Sequence, residues 1–163
     1  SRLPEAPGPI VLTGADGQPI RFHHRMRRVA TGIALELRQD DAEPGEGYAF
    51  SVLGDHDADL ATLADALRRR AEAEVGHRWL EPAAHRDGWQ VADIEVAGRL
   101  VYNPDGGPYS VVVDGRSMSW EELGATLESF EGWGFRLVIE DRITDLRSDA
   151  DVIDLPSFRG HVE

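Results

Sequence analysis

The sequence contains no cysteine, and each of its 17 basic residues is an arginine. Without thiols the chain can build no disulfide, no cysteine nucleophile and no Cys-ligated zinc or iron–sulfur centre. Without lysine it can form no Schiff base with a carbonyl cofactor and has no P-loop or kinase-type lysine. Long apolar runs are missing as well: none approaches the roughly 18 residues that a membrane helix needs. The first ten residues show no charged-then-apolar order of a secretory signal. These absences predict a cytoplasmic protein with no cofactor and no membrane partner. The richness in Arg, Ala, Gly and Asp is what a GC-rich bacterial genome produces. Ser1 stands where an initiator Met would, which suggests processing or a neighbouring segment.

What is present is mostly acid. Thirty Asp and Glu residues against 17 Arg leave a net charge of −13 on 163 residues, 41% of which are hydrophobic. That is a globular composition, long enough to bury one core or two small ones. The charge is uneven: residues 1–30 carry five Arg and two acids, whereas residues 31–82 carry five Arg and twelve acids. Most of such a surface is repelled by nucleic acid phosphates and anionic membranes. The basic N-terminal segment is the exception.

The patterning predicts an α+β chain. Ile10–Thr13 and Pro19–Met26 flank Ala15-Asp16-Gly17, a hairpin signal. Ile33, Leu35 and Leu37 alternate with polar or small residues, as do Tyr48, Phe50 and Val52, so the first part reads as a four-stranded meander. Leu60, Leu63, Leu67, Ala71 and Val75 then repeat at helical spacing and predict one long helix over 57–80, closed by Pro82. A smaller β-β-α-β unit follows. Strands are expected at Ile94–Tyr102 and Tyr109–Val113, and a helix is opened by the capping box Ser119-Trp120-Glu121-Glu122. Trp120, Leu123, Leu127 and Phe130 form that helix's buried face, Gly132 ends it, and Phe135, Leu137 and Ile139 alternate as a last strand. The expected organisation is a meander plus helix over 9–82, the second unit over 88–143, and a loosely ordered acidic tail over 144–163, with the two units packed as one globule.

The run Val112-Val113-Asp114-Gly115-Arg116, Ser119-Trp120-Glu121-Glu122-Leu123-Gly124 and Glu131-Gly132-Trp133-Gly134-Phe135-Arg136-Leu137 resembles the C-terminal part of an uncharacterised bacterial protein family, a domain of unknown function. Arg21-Phe22-His23 and Gly47-Tyr48-Ala49-Phe50 are similar to earlier strands of the same family, so the resemblance spans most of residues 10–145. Some relatives carry a Cys-containing, zinc-ribbon-like segment upstream that this chain lacks. The resemblance implies a fold and no activity.

Two clusters compete as sites. Asp55, His56, Asp57 and Asp59 follow a strand, and alternate carboxylates can surround a hard cation. The calcium-loop pattern fails, because Leu60 stands where Gly and Ala66 where Glu should be. The simpler reading is that these acids complement the positive N-terminal end of the helix. No catalytic constellation is visible: there is no HExxH pair and no G-x-S-x-G elbow, and His85-Arg86-Asp87 lacks every other kinase element. The second cluster is basic. In an extended strand Arg21, His23, Arg25 and Arg27 share one side, opposite Ile20, Phe22, His24 and Met26. Glu36 or the acidic loop Asp40–Glu46 could neutralise this stripe; otherwise it would dock an acidic group, for which the arginine fork is well shaped. The sequence therefore predicts a non-enzymatic binding or accessory module whose partner is another protein. The alternative is a small metal-dependent hydrolase built on Asp55, His56, Asp57 and Asp59. Nucleic acid is disfavoured, and the oligomeric state is left open.

Overall fold

Alternation in the first third of the chain becomes a sheet with one wet face and one dry face. The computed structural model describes residues 3–43 and 45–148. Strands β1 (Ile10–Thr13), β2 (Pro19–Val29), β3 (Gly32–Gln39) and β4 (Ala49–Gly54) pair antiparallel in chain order, as the meander expectation requires. The first turn closes through Gly17, whose φ of 83° a Cβ would disfavour. Asp16 accepts the Gln18 N–H within that turn. At the β2–β3 turn, Gly32 faces the end of β4 so closely that an added Cβ would lie 2.0 Å from the Gly54 carbonyl oxygen.

Helix α1 (Leu60–Val75) is shorter than the 57–80 expected from its period, because Gly76 caps it and Pro82 instead lies in a strand. Leu63, Leu67, Ala71 and Val75 are buried, and they meet Leu12, Phe22, Leu35, Leu37, Phe50 and Val52 from the inner face of the sheet. Ten buried side chains form this first core. At about 1.5–3 kcal/mol for each large side chain removed from water, it is the largest stabilising term in the N-terminal half.

The C-terminal half is built from short pieces. Strands β5 (Leu80–Pro82) and β6 (Trp89–Val91) pair as a small ribbon that the sequence pattern did not reveal. Strands β7 (Arg99–Val101), β8 (Ser110–Val113) and β9 (Arg116–Met118) make a three-stranded antiparallel sheet. Asp114-Gly115 therefore turns β8 into β9, an extra strand, where the sequence reading only ended one. Leu80, Val91, Val111, Val113 and Met118 form a second core, with Leu123 and Phe130 packed on it. Helix α2 (Trp120–Ala125) is capped as expected: Ser119 Oγ accepts the Glu122 N–H at 3.0 Å, and Glu122 accepts the Ser119 N–H at 2.8 Å. It spans only six residues and buries none of them, so the four-residue buried face is corrected to Leu123 and Phe130, with Trp120 and Leu127 exposed. A 3₁₀ turn at Glu128–Phe130 takes up the rest.

The last expected strand is a second correction. Phe135, Leu137 and Ile139 lie in a segment without helix or strand that pairs with no strand among the described residues. Alternation reports that a face can be buried; it does not say which edge will receive it. Beyond it, β10 (Thr144–Asp145) returns to the first sheet and pairs parallel with β4. Arg147 reaches Thr31, and the Ser148 N–H donates to Asp55. The rest of the expected tail, residues 149–163, lies outside the described residues.

The halves are tied by backbone and by one carboxylate. The Gly47 N–H donates to the Gly115 carbonyl at 2.9 Å. Asp114, held at φ 54°, accepts the Trp79 and Leu80 N–H groups at 3.1 and 2.9 Å, fixing the segment that leaves α1 onto the β8–β9 turn.

Ser119→Ala removes one half of the capping box, and we expect a loss of about 1 kcal/mol in chemical denaturation. An unchanged midpoint would show that the cap contributes nothing to the C-terminal half.

Candidate functional site

The pleat decides which side chains of β2 meet solvent. Phe22 points into the first core, so Arg21, His23, Arg25 and Arg27 all stand on the outer face and are exposed. On β3 the same face presents Glu36 and Arg38, whose side chains meet at 3.2 Å. Asp40, from the loop beyond β3, accepts from His23 Nδ1 at 2.6 Å and pairs with Arg21 at 3.6 Å. Neighbouring acids thus engage part of the stripe. Arg25 lies opposite Glu36 in the β2–β3 register, yet neither Arg25 nor Arg27 has an ion pair or hydrogen bond among the described residues. Together with Met26, Glu36 and Arg38 they border a depression.

The acidic cluster is distributed differently from a metal cage. Both Asp55 oxygens face the Ser148 N–H, at 3.1 and 3.2 Å. Asp59 occupies the N-cap position of α1, but its carboxylate accepts from Thr62 Oγ1 at 2.9 Å instead of from the helix backbone. Arg28 donates to His56 Nδ1 at 2.9 Å, which leaves Nε2 to donate to the Ala30 carbonyl at 3.3 Å. Both imidazole nitrogens of His56 are thereby engaged. Among the described residues no three His, Asp or Glu side chains converge to hold a metal ion.

His85-Arg86-Asp87 has a structural explanation. Arg86 staples its loop to α2 by donating to the Trp89 and Ala125 carbonyls at 2.7 and 2.6 Å, and it pairs with Glu128 at 2.5 Å.

Sequence reasoning missed a cleft between the halves. It encloses about 70 Å³ and is bordered by Tyr48, Arg70, Glu74, Trp79, Arg99 and Arg142. Arg99 donates to the Gly47 carbonyl at 2.7 Å and has no carboxylate partner among the described residues; burial pushes its pKa down, and the charge of Arg38 adds to that. Burial likewise lowers Arg70, which lies 5.8 Å over the Phe50 ring and donates to Thr144. Arg142 pairs with Glu74. Arg70 was visible only as part of the run Arg68-Arg69-Arg70, and nothing in the sequence joined it to Arg99 or Arg142, 29 and 72 positions further on. Tyr48, stacked on Phe50, has its pKa raised, first by burial and then by the negative charge of Asp114.

The fold and its sites define an α+β protein of two tandem halves, each with its own core, and the comparisons divide the chain in the same place. Residues 4–76 match a domain of unknown function (DUF7686), and residues 79–144 match a second domain of unknown function (DUF7713). The two matches lie in tandem along the chain, in keeping with the uncharacterised family it resembles. It is also 33% identical over 115 residues to a 1,4-alpha-glucan branching enzyme of Agrobacterium fabrum, covering 64% of this chain and 15% of the enzyme. To a branching enzyme of Rhizobium etli it is 31% identical over 127 residues, covering 71% of this chain and 16% of the enzyme. The chain therefore matches only about one sixth of the length of these curated relatives. No solved structure matches. Among the described residues no helix is long and apolar enough to cross a membrane.

Because the folded state favours the neutral phenol of Tyr48, its contribution to stability is full below pH 10.0, the ordinary tyrosine value, and is lost as pH rises through the elevated folded-state value. Ultraviolet titration of phenolate should show a late ionisation step that Tyr48→Phe removes. Persistence of that step in the variant would assign it elsewhere.

Proposed function

We propose that this chain is a non-catalytic, cytoplasmic accessory module that binds an acidic surface of another protein through the outer face of β2 and β3. The observation that carries this reading is the pair Arg25 and Arg27, exposed and without an internal partner among the described residues of a protein of net charge −13. Solvated arginines on an acidic protein would ordinarily gain from nearby carboxylates, and on this face Arg21, His23 and Arg38 do. Arg25 and Arg27 stand two residues apart, about 7 Å along the strand, the spacing of alternate side chains on an extended partner. Each presents a fork suited to two-point contact with a carboxylate. The likeness to a short stretch of two much longer enzymes supports the accessory reading, since such a stretch is a part carried within a larger protein.

The double variant Arg25→Glu with Arg27→Glu should fold normally and lose salt-sensitive binding to an immobilised poly-glutamate surface. Wild-type binding should fade toward about 1 M salt, where the Debye length falls to about 3 Å. A double variant that still binds with the same salt dependence would place the contact elsewhere; one that unfolds would make the stripe structural.

The competing reading, a metal-dependent hydrolase using Asp55, His56, Asp57 and Asp59, predicts saturable heat on titration with Mg²⁺, Mn²⁺, Ca²⁺ or Zn²⁺. We expect none above the dilution background. Tight binding abolished by Asp57→Asn would favour the hydrolase over the binding module.

A further inference from the structure

Residues 133–143 follow the 3₁₀ turn with no helix or strand and carry the largest run of exposed apolar side chains in the described residues. Trp133 is 67% exposed, Phe135 92%, Leu137 70%, Val138 66% and Ile139 73%. None of residues 134–142 makes a backbone–backbone hydrogen bond among the described residues. Five large apolar groups left in water, on backbone that pairs with no strand among the described residues, are what an edge lacking its neighbour presents.

We infer that residues 134–142 pair antiparallel with the same residues of a second copy of this chain, about a two-fold axis at Val138. A strand that meets its own copy across a two-fold axis perpendicular to it must pair antiparallel, so the register follows from the centre. With Val138 opposite its own copy, Leu137 faces Ile139, and Arg136 faces Glu140. Trp133 then lies level with Ile143, which is also exposed. Partners have the same parity, so Phe135, Leu137 and Ile139 of both copies share one face, and Arg136, Val138 and Glu140 of both share the other.

The charges select this partner and register. The charged side chains from 134 to 142 are Arg136, Glu140, Asp141 and Arg142; the two-fold pairing sets Arg136 opposite Glu140, twice per dimer, and places Asp141 opposite Phe135 and Arg142 opposite Gly134, so no like charges meet. A shift of the centre to Leu137 or Ile139 would bring Arg136 level with Val138 or Arg142, and the complementarity would be lost. Within one copy Glu140 is 63% exposed and pairs with Arg142 at the long distance of 3.7 Å, so it can be shared across the pair. Nine paired residues span about 30 Å, and the backbone bonds and the Leu137–Ile139 and Val138–Val138 contacts supply what the isolated strand lacks. The segment is remote from Arg25 and Arg27 in sequence and shares no contact with them among the described residues, so pairing does not depend on the binding role proposed for β2.

Sedimentation of the full chain across roughly micromolar to several-hundred-micromolar concentration should show a monomer–dimer equilibrium at 18.0 kDa and twice that mass. Arg136→Glu places four acids together at the pair and should weaken dimerisation roughly tenfold or more. Arg136→Glu combined with Glu140→Arg restores every opposite-charge pair and should recover most of the loss. All three proteins should keep the same thermal melt of the monomer, measured at the lowest concentration. A monomer at every concentration, an assembly larger than a dimer, an Arg136→Glu variant that dimerises as the wild type does, or a charge-swapped variant that stays weak would each overturn the proposal.

Discussion

The packing of one helix on one side of one sheet governs what the rest of the N-terminal half can do. Leu63, Leu67, Ala71 and Val75 of α1 lie against Phe22, Leu35, Leu37, Phe50 and Val52. Because strand side chains alternate, committing Phe22 to that core also commits Arg21, His23, Arg25 and Arg27 to water. A one-residue slip of β2 would bury four basic groups and expose the aromatic anchor, a large cost because a buried charge without a partner loses its hydration. The basic face is therefore held by the same contacts that hold the fold.

The second half relies on attachment. Its core of five buried side chains is half the size of the first, and its strands are three or four residues long. Asp114 compensates by accepting two N–H groups from the chain that leaves α1, and the Gly47–Gly115 bond links the two sheets directly. Hydrogen bonds to a carboxylate are among the stronger ones, which suits them to joining two modest cores. The same junction half-buries Arg99 and Arg70, and that burial lowers the pKa of both.

Charge is used locally in both halves. Acids outnumber arginines almost two to one, yet particular arginines organise loops: Arg86 holds α2 to β6, Arg116 sits 4.0 Å over Trp89, and Arg147 joins the returning chain to Thr31. With no lysine available, the guanidinium serves for carboxylate, carbonyl and aromatic contacts alike. Arg25 and Arg27 differ from these in having no internal contact of that kind among the described residues.

Local periodicity by itself determined the α+β class, the four-strand meander, the helical stripe of α1, the exposed side of β2 and the cap at Ser119. Each is a matter of neighbours within a few residues, where strand and helix repeats and capping chemistry act. Only the tertiary structure decided which acid meets which base: Asp40 with His23 and Arg21, Arg28 with His56, Asp114 with the backbone of Trp79 and Leu80. It also decided that β5 and β6 pair, that Thr144–Asp145 joins β4, and that Phe135, Leu137 and Ile139 stay outside every sheet among the described residues. Pairing and clefts depend on the three-dimensional meeting of segments far apart in the chain. Alternation along a strand states that a face seeks burial, and the fold alone determines whether its own chain provides it.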